Sequence, residues 1–242
     1  MSASSAELMP NGNSIAFSDF SKAVQYFQKV EPNDRIYLPH LKRVQGAWRS
    51  PSLLLMGDIL DFLNKWQMRL NRNPKLLDCM LEAVKETTPY LMAFQSVNLE
   101  ECEMDAPIRV GSECPRIDQA ALYMFERFCA LGYKFADVAA AKTLHLFAPS
   151  FFVIWDNTTR FSLAAGRGTA AWVYVRSYLP RVQHDLRCLV KDTSTMFGID
   201  EQSAVEKLVS IVPNRKSLTK LIDEYYWARY TRGIFKTKLE DA

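Results

Sequence analysis

Lys142 and Asp156 are the residues of this chain whose types and spacing are best suited to chemistry. A carboxylate at the start of a helix lies at the positive end of the helix dipole, and a fixed carboxylate can stabilise positive charge that develops on a reacting carbon. A lysine amine that is partly shielded from water can attack such a carbon and form a Schiff base. The ordinary alternatives are a simple helix cap for Asp156 and a solvated helix lysine for Lys142.

Two helices and a buried reversal are predicted to position these residues. Residues 137–148 have apolar side chains at helical spacing, Asp137 can cap this helix, and Pro149 cannot continue it. The apolar run 151–155 predicts a buried connector. Asp156 is then expected to open a second helix, with its carboxylate at the positive end.

The order of these features is a helix with Lys142, a proline, an apolar connector, Asp156 and then Arg160. This order resembles the helix-hairpin-helix superfamily of DNA glycosylases, and a looser likeness extends to the segment DFLNKWQMRL. In that superfamily an aspartate opens the helix after the hairpin and supports cleavage of the N-glycosidic bond, and some members carry a lysine on the second helix of the hairpin. The resemblance implies that Asp156 and Lys142 are catalytic, that the partner is double-stranded DNA with a modified or damaged base, and that no cofactor is used.

The resemblance also implies a hairpin that binds a DNA phosphate. In the superfamily two glycines usually hold the phosphate through their N–H groups, whereas here only Gly132 lies nearby. Lys134 can supply a charged contact instead, since DNA phosphates are bound by side chains in addition to backbone N–H groups. Arg160 and Arg167 complete the predicted contacts with DNA.

A glycosylase must flip its target base out of the duplex and stack it in a pocket. Trp155, which precedes Asp156, and His145 are predicted to line that pocket. Filling of the interior is the ordinary alternative for an aromatic ring, and a buried imidazole is the alternative for His145. The same two possibilities apply to the further aromatic candidates, which are Trp48, Trp66, Trp172, Tyr225, Tyr226, Trp227 and Tyr230.

The pattern along the chain predicts an all-α fold of two helical lobes, with a helix-hairpin-helix-like element and a DNA cleft between the lobes. Residues 1–15 are expected to be a flexible polar tail, and residues 16–242 a single all-α domain. One lobe comprises roughly residues 16–97 with 190–242, and the other roughly 116–189. The irregular acidic segment 98–115 is predicted to connect them.

Helix starts are indicated by Ser50 with Pro51 and by Asn73 with Pro74, since each pair places a capping side chain before a proline. Pro89 is expected to limit or kink the second of these helices. The further predicted helices are 18–29, 38–47, 117–131, 169–189, 201–212 and 218–230.

Composition excludes several classes of protein. No apolar run approaches the roughly 20 residues that span a bilayer, so no membrane partner is expected. The N-terminal residues do not have the pattern of a signal peptide, so an intracellular location is expected. The protein is also expected to be a monomer. The five cysteines form no Cys-x-x-Cys pair, which argues against zinc and iron–sulfur sites. The net charge is only +3, but residues 121–242 carry 17 basic and 12 acidic side chains, which favours this half as the side that faces phosphates.

Two other functions are compatible with the sequence. One is a DNA-binding or damage-sensing protein that keeps the glycosylase scaffold without turnover. The other is a metal phosphohydrolase of the HD type, suggested by His184 and Asp185 with His145 as a further ligand. The excised base is also open: oxidised, alkylated and deaminated bases are possible, as is a hypermodified cytosine in phage DNA, which would make the protein a defence factor.

Overall fold

The computed structural model describes residues 15–132, 136–164, 168–214 and 216–235. Over these residues the structure contains helices, two isolated β-bridges and no strand, so the prediction of an all-α fold is confirmed. None of these helices combines the length and the apolar character of a membrane-spanning segment. The helices are α1 (Phe17–Val30), α2 (Asp34–Ala47), α3 (Leu53–Lys65), α4 (Pro74–Ala93), α5 (Ile117–Cys129), α6 (Ala136–Phe147), α7 (Asn157–Leu163), α8 (Ala170–Val173), α9 (Leu179–Phe197), α10 (Glu201–Val209) and α11 (Leu218–Tyr226).

Three short helical segments extend this set. A 3₁₀ turn, Phe94–Ser96, follows α4. One π-helical turn, Tyr174–Tyr178, joins α8 to α9, and another, Trp227–Thr231, continues α11. The predicted helix at 169–189 therefore runs on through α9 to Phe197, where Gly198 ends it with a φ of 63° that a residue with a side chain rarely adopts.

Side-chain caps mark the starts of α3 and α4. Asn73 accepts a hydrogen bond from the N–H of Lys75 at 3.0 Å and Pro74 is the first residue of α4, as predicted. The predicted start at Ser50 and Pro51 is wrong, because Ser52 is the cap of α3 and accepts from the N–H of Leu55 at 3.3 Å. Both serines can cap a helix, and the local sequence does not decide between them.

Two further predictions about helix ends are corrected. Asp137 was expected to precede its helix, but α6 begins at Ala136 and Asp137 lies in the first turn. Its carboxylate is thereby available to a partner on another helix. Pro89 lies inside α4 and does not end it, since the helix continues to Ala93, and the alternative that Pro89 kinks the helix stays a prediction.

Segment 98–115 is irregular, as predicted, and α9 holds it in place. Gln183 on α9 donates to the carbonyls of Leu99 at 2.6 Å and Cys102 at 2.8 Å. Arg187, one helical turn later, donates to the carbonyls of Glu100 and Cys102. These bonds satisfy backbone oxygens that no helix or sheet would otherwise pair.

The connector between α6 and α7 lies in the aromatic centre of the core. The hydroxyl of Tyr174 donates to the carbonyl of Val153 at 2.6 Å and accepts the N–H of the same residue at 3.0 Å. Tyr178 donates to the carbonyl of Ile154 at 3.0 Å. The ring of Trp155 packs 4.9 Å from that of Tyr174 and 5.3 Å from that of Tyr178, measured between centroids. The backbone that leads into Asp156 is therefore held by hydrogen bonds from two tyrosines, at Val153 and at Ile154.

Helix α11, the last α-helix of the described chain, packs on α1, the first. The hydroxyl of Thr219, in the first turn of α11, donates to the carbonyl of Pro149. The C-terminal helix thus meets the same connector that positions α7.

Candidate functional site

Asp156 is the N-cap residue of α7, as predicted. Its Oδ1 accepts the N–H of Thr159 at 2.8 Å, and the hydroxyl of Thr159 accepts the N–H of Asp156 at 2.9 Å. Within the described part of the chain, every hydrogen bond to this carboxylate goes to Oδ1. One oxygen therefore orients the side chain, and Oδ2 is left for another partner.

Arg160 joins α7 to α6. Its guanidinium forms an ion pair with Asp137 and lies 5.4 Å from the centroid of the Trp155 ring. An arginine that stacks on an aromatic face while it pairs with a carboxylate is held in one orientation. This contact docks α7 against α6, and the role of Arg160 as a DNA contact stays a prediction.

Lys142 lies on α6 and is almost fully buried, with 6% of its surface exposed. Its Nζ lies 5.1 Å from the centroid of the Trp66 ring, and among the residues that the structure describes it makes no hydrogen bond or ion pair. Burial lowers the pKa of Lys142 to about 8, although Asp223 and Asp156 partly oppose this effect. The solvated helix lysine that was the ordinary alternative does not match this environment.

Asp156 is among the carboxylates whose charge partly offsets the effect of burial on the pKa of Lys142. The indole Nε1 of Trp66, the ring beside the lysine, is buried without a hydrogen-bond partner in the described chain. Buried polar groups usually find partners, so unpaired groups at one place are typical of sites that bind a ligand.

Sequence reasoning missed a buried cluster of charges on α11 and the residues before it. Lys220 donates to Asp223 at 2.8 Å and lies 3.3 Å from Glu224. Lys216 pairs with Glu224 at 2.7 Å and with Asp34, at the start of α2, at 2.6 Å. The side chains of Lys216, Lys220 and Glu224 are 1%, 0% and 0% exposed.

Burial disfavours the charged forms in this cluster, and ion pairing opposes that effect. Burial acts against the ammonium of Lys220, but the carboxylates of Asp223 and Glu224 outweigh it and raise the pKa of Lys220 above its ordinary value. Burial raises the pKa of Asp223 to about 6, against the influence of Lys220. The only signal in the sequence is weak: Asp223 and Glu224 follow Lys220 at helical spacings that allow pairing.

The two predicted pocket residues lie in the interior. Trp155 is 0% exposed, and its Nε1 donates to the carbonyl of Asp137 at 3.2 Å. His145 is also fully buried, with Nε2 at 2.7 Å from the Tyr37 hydroxyl and Nδ1 at 2.6 Å from the carbonyl of Phe152. Burial lowers the pKa of His145 to about 3, so its imidazole is neutral at pH 7. Both rings have the packing expected of core residues.

The predicted hairpin is described only in part. Gly132 has a φ of 71°, which suits glycine, and it borders a groove of about 460 Å³ that Arg69, Asn71 and Lys75 also line. Lys134 and Arg167, the other two predicted DNA contacts, lie outside the described residues.

The metal alternative finds no assembled site in the described ranges, which contain no group of three His, Cys, Asp or Glu side chains able to hold an ion. His184 is exposed on α9. Asp185 is buried and accepts a hydrogen bond from the hydroxyl of Tyr226 at 2.8 Å.

Comparisons of the chain with family models, with curated proteins and with solved structures find no match. Among the described residues, the candidate site combines a capping carboxylate that accepts hydrogen bonds through Oδ1 only with the almost fully buried Lys142, which has no hydrogen-bond or ion-pair partner there.

Proposed function

We propose that this protein is a DNA glycosylase that cleaves the N-glycosidic bond of a flipped-out damaged or modified base. The observation that carries the proposal is that Lys142 is almost fully buried, with its Nζ 5.1 Å from the centroid of the Trp66 ring and no hydrogen bond or ion pair to any residue that the structure describes. A buried lysine without a direct partner destabilises a fold, so its presence favours a chemical role over a structural one.

Asp156 is assigned to the sugar. As the base departs, positive charge develops on the deoxyribose, and a fixed carboxylate stabilises that oxocarbenium-like centre. The cap holds Oδ1 of Asp156 and leaves Oδ2 to face the reacting carbon. A residue already oriented by its own helix needs no rearrangement at the moment of reaction.

Lys142 is assigned to the anomeric carbon as a nucleophile, which would add strand cleavage to base release. With a pKa of about 8, roughly one-tenth of the lysine is neutral at pH 7. At the ordinary lysine value that fraction is below about one-thousandth. Burial thus supplies a reactive amine at neutral pH.

DNA binding is proposed in a cleft between two helical lobes, with the basic second half of the chain facing the phosphates. Gly132, Lys134, Arg160 and Arg167 are the residues assigned to backbone contacts. The half-buried ring of Trp66, beside Lys142, is a better placed stacking surface for the extruded base than the buried Trp155. The base is left to experiment, and a hypermodified cytosine of phage DNA belongs in the set.

The test is release of free bases, measured by mass spectrometry after incubation with DNAs that carry different base modifications, in buffer without divalent metal. We expect Asp156→Asn to lower release by at least about 100-fold, since its charge is lost while asparagine still caps the helix. Asp200→Asn is the matched control, because Asp200 caps α10 in the same way, with Ser203 N–H at 2.8 Å. That variant should keep the wild-type rate.

Two results would contradict the proposal. Binding of DNA without release of any base would favour the non-catalytic scaffold. Equal loss of release in Asp156→Asn and Asp200→Asn would mean that both act through folding and not through chemistry.

A further inference from the structure

Asp118, in the first turn of α5, is paired with two arginines. Arg116, which precedes the helix, donates to its Oδ2 at 2.6 Å, and Arg176, in the π-helical turn between α8 and α9, donates to the same oxygen. Every other ion pair of an arginine in the described ranges joins one arginine to one carboxylate. The group of Arg116, Asp118 and Arg176 therefore has one positive charge in excess.

The two arginines lie close together because they share one oxygen atom. Hydrogen bonds of this kind are about 3 Å long, so the two donating nitrogens lie within about 6 Å of each other. The other oxygen of Asp118, Oδ1, is buried and accepts no hydrogen bond within the described chain. A guanidinium and a carboxylate pair best through two parallel bonds, one to each oxygen. Neither arginine has this arrangement, so pairing with Asp118 does not by itself account for the position of both.

The arginines are accessible to a ligand, whereas their carboxylate is not. The side chain of Asp118 is 4% exposed, and those of Arg116 and Arg176 are 47% and 33% exposed. A guanidinium has five N–H donors in a fixed plane, and the ion pair with Asp118 occupies one of them on each arginine. The two arginines thus present positive charge at the surface while their counter-ion is buried.

The backbone on both sides of this group is held in place. The N–H of Asp118 donates to the carbonyl of Met104 at 2.9 Å, which ties the start of α5 to segment 98–115. Arg176 belongs to the turn whose two tyrosines form hydrogen bonds with the connector before Asp156. Donors that are already oriented lose little freedom when a ligand binds. A ligand of the two arginines would be held by the same turn that positions the connector.

We propose that Arg116 and Arg176 together bind one phosphate of the DNA backbone, in addition to the contacts assigned above. Planar arginine donors match the oxygens of a phosphate, and one phosphate charge balances the excess positive charge of the group. The choice of DNA as the ligand rests on the proposed function, whereas the anion site itself does not. A phosphate contact carries no sequence information, so this one fixes where the DNA lies and not which base is released.

Two substitutions with different expected effects test the contact with DNA, by fluorescence anisotropy of a labelled duplex. Arg176→Met should weaken binding about 10-fold at about 0.1 M salt and lower the slope of log affinity against log salt by about 1. This loss should be the same for modified and unmodified DNA. Asp118→Asn removes the negative charge beside the arginines, so it should not weaken binding. If the group were only structural, both variants would weaken binding, because either change breaks the ion pairs.

Arg127→Met is the matched control. Arg127 pairs with Glu86 alone, and its side chain is 31% exposed, close to the 33% of Arg176. The variant should keep the affinity for DNA within about twofold of the wild type, since exposed charges farther than a Debye length from the phosphates are screened. Equal losses in Arg127→Met and Arg176→Met would show a general effect of lost positive charge and would overturn the inference.

Inorganic phosphate tests the anion site without DNA. The Tm of the wild type should be higher in phosphate than in chloride of equal ionic strength, because an anion that binds only the folded state stabilises it. General effects of phosphate on hydration act on all variants alike. The increase in Tm should therefore be smaller in Arg116→Met and Arg176→Met and unchanged in Arg127→Met.

The outcomes distinguish failure of this inference from failure of the proposed function. DNA binding that depends on Arg176, without release of a base from any DNA, overturns the function and supports the phosphate contact. Base release with an affinity for DNA that Arg176→Met does not change overturns the contact alone. An increase in Tm that requires both arginines, with the affinity for DNA unchanged in their variants, overturns DNA as the source of the phosphate.

Discussion

Burial of Lys142 lowers the stability of the folded protein. The side chain is almost fully buried, and within the part of the chain that the structure describes its amine pairs with no carboxylate. The ring of Trp66 and more distant charges compensate it there. A cation over an aromatic face recovers about 0.5–2 kcal/mol, which is less than the several kcal/mol that desolvation of an ion costs. Such a residue makes the fold less stable and the amine more reactive.

Replacing Lys142 with methionine is therefore expected to stabilise the protein. The unfolded chain keeps the lysine proton up to about pH 10.5 and the folded chain releases it near 8, so the folded form gains stability as pH rises between these values. Lys142→Met should be more stable than the wild type by roughly 1–3 kcal/mol at pH 7, with a smaller difference near pH 10. Urea unfolding at both pH values measures this.

The control for this prediction is Lys85→Met, which changes an exposed lysine of α4. Its effect should be within about 0.5 kcal/mol of zero at both pH values. A Lys142→Met variant that is less stable than the wild type at pH 7 would mean that the amine is better compensated than its contacts indicate.

At the scale of elements, the reversal between α6 and α7 was predictable from the sequence, because proline, an apolar run and a capping aspartate act locally. Asp156 opens α7 as expected. The start of α3 was not predictable, since Ser50 and Ser52 can both cap a helix, and it is Ser52 that caps α3. The sequence also could not show that Tyr174, in the π-helical turn after α8, would form hydrogen bonds with the backbone of the connector between α6 and α7.

Tyr174 is expected to set the position of Asp156. In Tyr174→Phe, the buried N–H and carbonyl of Val153 lose their shared partner, so the protein should lose roughly 2–4 kcal/mol of stability and base release should slow. Tyr178→Phe removes one bond, to the carbonyl of Ile154, and should cost roughly 1–2 kcal/mol. Chemical denaturation and release assays compare them. Equal stability losses would show that the second bond of Tyr174 contributes nothing.

At the scale of the whole molecule, the candidate site is completed by a helix that no local pattern connects to it. Lys220, Asp223 and Glu224 share one side of α11, a pattern typical of a solvent-facing surface. Packing against distant parts of the chain buries that side, and this depends on contacts between residues as far apart as Asp34 and Lys216. Lys142 and Asp156 could therefore be proposed from the sequence as candidate site residues, whereas the buried charges of α11 could not.

Lys216 joins distant parts of the chain, because it pairs with Asp34 on α2 and with Glu224 on α11. Lys216→Met leaves two carboxylates buried without this partner, and a broken buried pair costs roughly 3–5 kcal/mol. Arg72→Met removes a partner from the exposed pair with Asp61, which is worth about 0–1 kcal/mol. Urea unfolding at pH 7 should separate the two variants by at least about 2 kcal/mol. Similar values for both would mean that water reaches the carboxylates of Asp34 and Glu224. Apolar packing of α1 on α11 would then hold these distant parts of the chain together instead.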